Sequence, residues 1–275
     1  MLIAASRLLF IFVAALFCIF LGVFSLRGCG SQQQYQQFEH PLWTGQSWVV
    51  ALGGDSNPAP AFSPSAFASA AKLSPQIFLG LQVRLTRDGQ WIVYGPKDWS
   101  TLTSHKGLVS RTDSSELPNI RFQGNQEQVL TLEQFLKLPA ANPLWIEILQ
   151  PATSALTPLF QMLKAAQVER RVVLSSPFYD TTSEIRKQSA LWLSGSATSE
   201  IAKARFMNSL YLESLLTLNG DLLADKYFHE RLLVELVKRK KIVLIQTDDP
   251  EAFQRLPIKD AHIGVLTNRP SLFIP

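Results

Sequence analysis

From Trp48 onward the chain alternates short apolar runs with longer stretches of helical periodicity, and this alternation sets the first expectation of its architecture. Runs rich in Val, Ile, Leu and aromatic residues predict strands at Trp48–Leu52, Ile77–Leu85, Trp91–Tyr94, Leu144–Leu149, Val172–Ser175, Ala190–Leu193, Ser209–Leu212, Leu222–Ala224, Ile242–Gln246 and Gly264–Leu266. Apolar residues recurring every three or four positions predict helices at Ser65–Lys72, Leu132–Leu138, Pro158–Gln167, Thr182–Gln188 and Tyr227–Arg239. Thr157 followed by Pro158 has the chemistry of an N-cap and first helical position. Strands alternating with helices imply parallel pairing through crossovers, hence an α/β fold. The span after the linker, about 230 residues, suits a (β/α)8 TIM-type barrel with few insertions. Between Ser194 and Leu223 the pattern is weakest. Residues 97–130 form a polar excursion rich in Ser and Thr.

The N-terminus obeys a different rule. Leu8–Leu26 is an almost unbroken apolar run without charge. At about 19 residues it is long enough to cross a bilayer and longer than the ~7–15 residues of a cleaved signal segment. A retained transmembrane helix is therefore expected, giving an anchor at 1–29, a polar, Gln-rich linker at 30–46 and a folded domain at 47–275. Arg7 before the run and Arg27 after it leave a slight charge asymmetry that puts the N-terminus in the cytoplasm and the main body on the extracytoplasmic side. Leu26-Arg-Gly-Cys29 also admits lipidation of Cys29, although Arg27 and the long run argue against it. The other cysteine, Cys18, lies inside the run, so the exported body has no internal disulfide and depends on its core.

A net charge of +4 falls to +2 over residues 30–275, which does not suit a nucleic-acid binder. The densest basic run, Lys238-Arg-Lys-Lys241, ends a helical pattern, where cations complement the helix dipole; a lipid-headgroup patch is the less favoured reading. The four histidines, His40, His105, His229 and His262, show no paired spacing. Nor is there a metal-finger spacing, a phosphate-cradling Gly-rich loop or an internal repeat.

The most informative stretch is Leu79-Gly-Leu-Gln-Val-Arg-Leu-Thr-Arg-Asp-Gly-Gln-Trp-Ile-Val-Tyr-Gly-Pro96. It reads as two strands joined at Thr86-Arg-Asp-Gly89, with Asp-Gly supplying the positive φ that a tight hairpin needs. This stretch resembles the start of the glycerophosphodiester phosphodiesterase family, where a carboxylate-bearing strand precedes a Thr-x-Asp-Gly turn and a strand ending His-Asp. Five further segments extend the resemblance in the right order and spacing. Trp48-Val-Val-Ala-Leu-Gly-Gly54 and Ala59-Pro-Ala-Phe-Ser63 stand where the family has His-Arg-Gly and Ala-Pro-Glu-Asn-Thr. Trp145-Ile-Glu-Ile-Leu149 resembles Ile-Glu-Ile-Lys, Arg171-Val-Val-Leu-Ser-Ser176 resembles Val-Leu-Ser-Ser-Phe, and Ile263-Gly-Val-Leu-Thr-Asn-Arg-Pro270 resembles Asp-Gly-Ile-Ile-Thr-Asp-Arg-Pro.

The resemblance implies a barrel whose catalytic side chains have been replaced. The family's first His falls on Leu52, its Arg on Gly53, and its Glu and Asn on Ala61 and Phe62. The Glu-x-Asp metal pair falls on Gly80 and Gln82, and the closing His-Asp on Gly95 and Pro96; Glu147 is kept. Splitting a phosphodiester by this route needs proton donors and acceptors on both sides of phosphorus, and a divalent cation on its non-bridging oxygens. A single carboxylate does not make a site for a hard cation, which takes about six oxygens. No cofactor is therefore expected; a divalent cation such as Ca²⁺ or Mg²⁺ belongs only to the alternative of relocated catalytic residues. Asp55, Gln82, Glu147 and Asp249 are the candidate ligand-binding residues, with Glu147 a vestigial metal ligand, while Asp55, Asp248 and Asp249 also suit plain turn formation. The functional expectation is a membrane-anchored pseudoenzyme with a binding or scaffolding role, its partner a lipid-derived or sugar ligand or a protein. The alternative is an active phosphoric diester hydrolase of lipid metabolism.

Overall fold

The computed structural model describes residues 40, 42, 46–151, 153–188 and 192–274. The expected anchor and most of the linker lie outside the described residues. Among the described residues no helix is long and apolar enough to cross a membrane.

Eight strands run parallel in chain order: β1 (Val49–Leu52), β2 (Phe78–Leu85), β4 (Leu144–Ile148), β5 (Val172–Ser175), β6 (Leu193–Ser194), β7 (Leu222–Asp225), β8 (Ile242–Gln246) and β9 (Ile263–Thr267). β9 pairs back onto β1 through Val49↔Val265, and a bridge between Gly195 and Leu222 joins β6 to β7. The result is a nearly closed barrel, as the alternating pattern predicts. β3 (Trp91–Val93) is the exception: it folds back antiparallel on the far end of β2, which projects beyond the barrel.

Alternation along each strand sorts the side chains. Val50, Phe78, Trp145, Val173, Leu193, Leu222, Leu244 and Leu266 fill the interior, while the opposite faces meet the outer helices. Trp48 stacks on Phe78 at 4.2 Å at the N-terminal end of the barrel, and Leu42, from within the expected linker, packs onto the same cluster.

The outer helices are α1 (Pro64–Leu73), α2 (Leu132–Leu136), α3 (Leu156–Ala165), α4 (Tyr179–Gln188), α5 (Thr198–Ser209), α6 (Glu230–Lys238) and α7 (Pro250–Gln254). Two expectations need correction. Ser209–Leu212 is not a strand but the end of α5 and the turn after it, with Tyr211 at φ +59°. Thr157 is not an N-cap, because α3 already begins at Leu156, out of a 3-10 turn. Half of the expected strand Ala190–Leu193 lies outside the described residues; the strand seen there is Leu193–Ser194. The 97–130 excursion is polar in sequence but has its own buried centre, made of Trp99, Val109, Leu117, Ile120 and Phe122 against Tyr94. Asp88 at the hairpin tip ties this lobe down. It accepts from Thr86 Oγ1 and from the Ser114 amide and hydroxyl, and these hydrogen bonds hold its carboxyl down at about 2.

Candidate functional site

In barrels of this type the C-terminal ends of the strands form the mouth where ligands bind. Gly80 and Gln82 point inward from β2, Glu147 from β4 and Ser175 from β5, and their registers place them side by side: Leu52↔Gly80, Gln82↔Glu147 and Glu147↔Ser175. Positions far apart in sequence thus converge on one rim.

Gln82 Nε2 donates to Glu147 Oε2 at 2.7 Å. Glu147 is half-buried, and this burial raises its pKa against the opposing pull of the Gln82 hydrogen bond and the nearby Arg84. Arg84 is not free to clamp an anion. Its Nε donates to the Gly95 carbonyl at 2.8 Å and its Nη1 to the Leu149 carbonyl at 3.1 Å, and burial lowers its pKa. Beside Glu147 lies a cavity of about 70 Å³ whose polar lining includes Ser175, Ser176 and Ser196. Ser175 Oγ accepts from the indole of Trp145 at 2.6 Å, and Ser176 Oγ donates to the Ile148 carbonyl at 2.8 Å. Around this cavity the described residues place one carboxyl group, Glu147, and a row of hydroxyls.

Next to Gln82, over Gly95, an aromatic ring takes the space. Phe62 is buried with its backbone in the left-handed region, at φ +68°, a conformation that costs a bulky residue free energy. Its amide donates to the Gly53 carbonyl at 2.7 Å. A β-carbon on Gly95 would stand 2.2 Å from Gln82 Oε1 and 2.6 Å from Phe62 Cζ, and one on Gly53 would stand 3.2 Å from Ala61 Cβ and the Phe62 amide nitrogen and 3.3 Å from Phe62 Cε1. Gly80 is closed for another reason. A β-carbon there would lie 2.9 Å from Leu52 Cα and 3.0 Å from the Ala51 carbonyl oxygen, because β1 and β2 approach closely at this point.

Of the four candidate residues, the fold brings together Gln82 and Glu147. Asp55 is buried between α1 and the C-terminal turn; its amide donates to the Ala66 carbonyl, and Ser271 Oγ lies 3.5 Å from its carboxylate. Asp249 caps α7, accepting from the Glu251 and Ala252 amides at 2.9 and 3.1 Å. Asp248 accepts from Thr267 Oγ1 at 2.6 Å. The histidines are dispersed: His229 caps α6, His262 is buried against Asp260 at 2.7 Å, and His105 meets the edge of Trp99. Among the described residues no group of three or more His, Cys, Asp or Glu could hold a metal ion. The cation implied by the family resemblance does not fit these residues, since one carboxylate and one amide cannot supply its oxygens.

Sequence reasoning missed Phe62 as a feature of the site. The available signal was an aromatic residue at an Asn position, in the same chain that replaces His by Gly95.

No family model and no curated protein matches this chain. Solved structures do. A glycerophosphodiester phosphodiesterase from Agrobacterium tumefaciens is similar over 84% of this chain and 100% of its own, with a TM-score of 0.65 and 16% identity. The glycerophosphoryl diester phosphodiesterase domain of an uncharacterized protein from Mycobacterium tuberculosis is similar over 83% and 98%, at 0.66 and 17%. An Oleispira antarctica phosphodiesterase, solved with the product sn-glycerol-3-phosphate, is similar over 84% and 96%, at 0.67 and 17%. The chain has the TIM-type barrel fold of the glycerophosphodiester phosphodiesterases. At these identities the likeness concerns the fold.

Proposed function

We propose that this chain is a membrane-tethered domain of the glycerophosphodiester phosphodiesterase fold that has given up hydrolysis and now binds or scaffolds. The observation that carries the reading is the packing over position 95, where the Phe62 ring and the Gln82 amide already occupy the space a side chain would need. Closure of position 80 by backbone and the engagement of Arg84 with two carbonyls support it further. Removing general acid–base help alone costs roughly 10²–10⁴-fold in rate. Loss of a metal adds several kcal/mol. The cavity, lined by Glu147 and hydroxyls and by no cationic side chain, suits a lipid-derived or sugar hydroxyl group better than a phosphate. The apolar run Leu8–Leu26 supports the tether and an extracytoplasmic body.

A second reading, an active phosphoric diester hydrolase with relocated residues, draws on Glu147. A carboxyl with a raised pKa at a barrel mouth is suited to proton transfer. Metal titration separates the two. On the favoured reading, Ca²⁺, Mg²⁺ and Zn²⁺ leave the melting temperature of the full chain unchanged. A saturable stabilisation that disappears in Glu147→Ala supports the hydrolase instead.

A further inference from the structure

We propose that the furrow between α1 and the α2–β4 connection binds a single-chain carboxylate amphiphile, its tail in the furrow and its head at Lys72. This site lies on the outside of the barrel and is independent of the reading of the mouth. The furrow has a volume of about 580 Å³, within the usual range of ligand pockets. It exists because α2 has only five residues: the chain reaches Pro139 and then Pro143 before β4, and neither proline can donate a helical hydrogen bond. The outer ring is therefore left thin between α1 and β4. Phe67, Leu79 and Phe135 form a buried apolar floor, and Leu138, 40% exposed, forms part of the rim. Ala68 and Ala71 on one wall and Ala141 on the other keep the furrow wide.

The polar groups of the lining decide the kind of ligand. Asn142 Nδ2 already donates to the Ser74 and Ile77 carbonyls at 2.9 and 3.3 Å. Glu127 Oε2 already accepts from the amide and hydroxyl of Ser65 and from Asn125. The walls thus ask little of a ligand beyond apolar contact, as a hydrocarbon chain provides. Lys72 is different: it is exposed at the last turn of α1 and makes no ion pair among the described residues. One unpaired ammonium matches one singly charged head. A phosphate dianion would call for more donors than this rim offers.

The test is photolabelling of the full chain in lipid nanodiscs with a diazirine-bearing dodecanoic acid, and with the dodecanol analogue of equal length, followed by peptide mapping. Adducts of the acid are expected on Pro64–Leu73 and on residues 135–142. Lys72→Glu should cut labelling by the acid about three- to fivefold, the scale of one exposed charge contact, and leave labelling by the alcohol unchanged. Ala71→Trp, which fills the furrow, should abolish both. Ala141→Leu narrows it from the other wall and serves as a second filling variant if Ala71→Trp melts early. Adducts spread in proportion to surface exposure, or unchanged in a folded filling variant, overturn the proposal. Equal loss of acid and alcohol labelling in Lys72→Glu overturns the assignment of the head group.

Discussion

Phe62 and Gly95 are complementary: the ring of the first, together with the Gln82 amide, lies where the side chain of the second would begin. Restoring an imidazole by Gly95→His should therefore overpack the mouth and destabilise the barrel by about 1–3 kcal/mol. The double variant Phe62→Asn/Gly95→His should recover part of that loss, because it removes the ring, leaves only the Gln82 amide to shift, and puts at the left-handed position a residue that tolerates it. Urea unfolding of the two single variants and the double variant gives the coupling directly. Strict additivity would mean that the two positions do not share space.

Gly80 makes a parallel case with backbone in place of a ring. Gly80→Ala pushes a methyl against Leu52 Cα and the Ala51 carbonyl, and the cost should be about 1–3 kcal/mol, read as a lower urea midpoint at unchanged slope. A carboxylate at this position needs the β1–β2 spacing to change first.

Glu147 gives a pH dependence whose sign can be worked out. Burial raises its pKa in the folded state, so folding favours the protonated form. Its contribution is fully present below the ordinary glutamate range and is lost as pH rises through the folded value. Glu147→Gln keeps an acceptor for Gln82 and removes the titration. The melting temperature of this variant relative to the parent should rise from pH 4 to pH 8; a constant difference would contradict the burial argument.

The buried pair Arg186–Glu200 supports the seam between β6 and β7, where pairing is sparse. Arg186 meets Glu200 Oε2 at 2.8 Å and also donates to Ser194 Oγ and the Gly195 carbonyl. Glu200→Ala leaves the guanidinium buried without its counter-charge, and about 3 kcal/mol of stability should be lost in chemical denaturation.

The barrel strands were legible because a buried parallel strand is a short, continuous apolar run, as in Val172–Ser175 and Ile242–Gln246. α5 escaped because its buried face carries Glu200, Ala204 and Asn208, so no apolar period of 3.6 is written in the sequence. The pairing of Gln82 with Glu147 was legible only through family resemblance, since strand register brings them together from 65 positions apart. The obstruction by Phe62 was signalled only by an aromatic residue at an Asn position; its geometry was not legible. It depends on a left-handed backbone at an aromatic residue, which local pattern argues against.

The central claim is that the barrel persists without its hydrolytic chemistry, and turnover tests it most directly. Full-length protein incubated with a glycerophosphodiester and millimolar Ca²⁺ or Mg²⁺ should release glycerol phosphate no faster than the protein-free blank. Saturable release that is lost in Glu147→Ala would contradict the account.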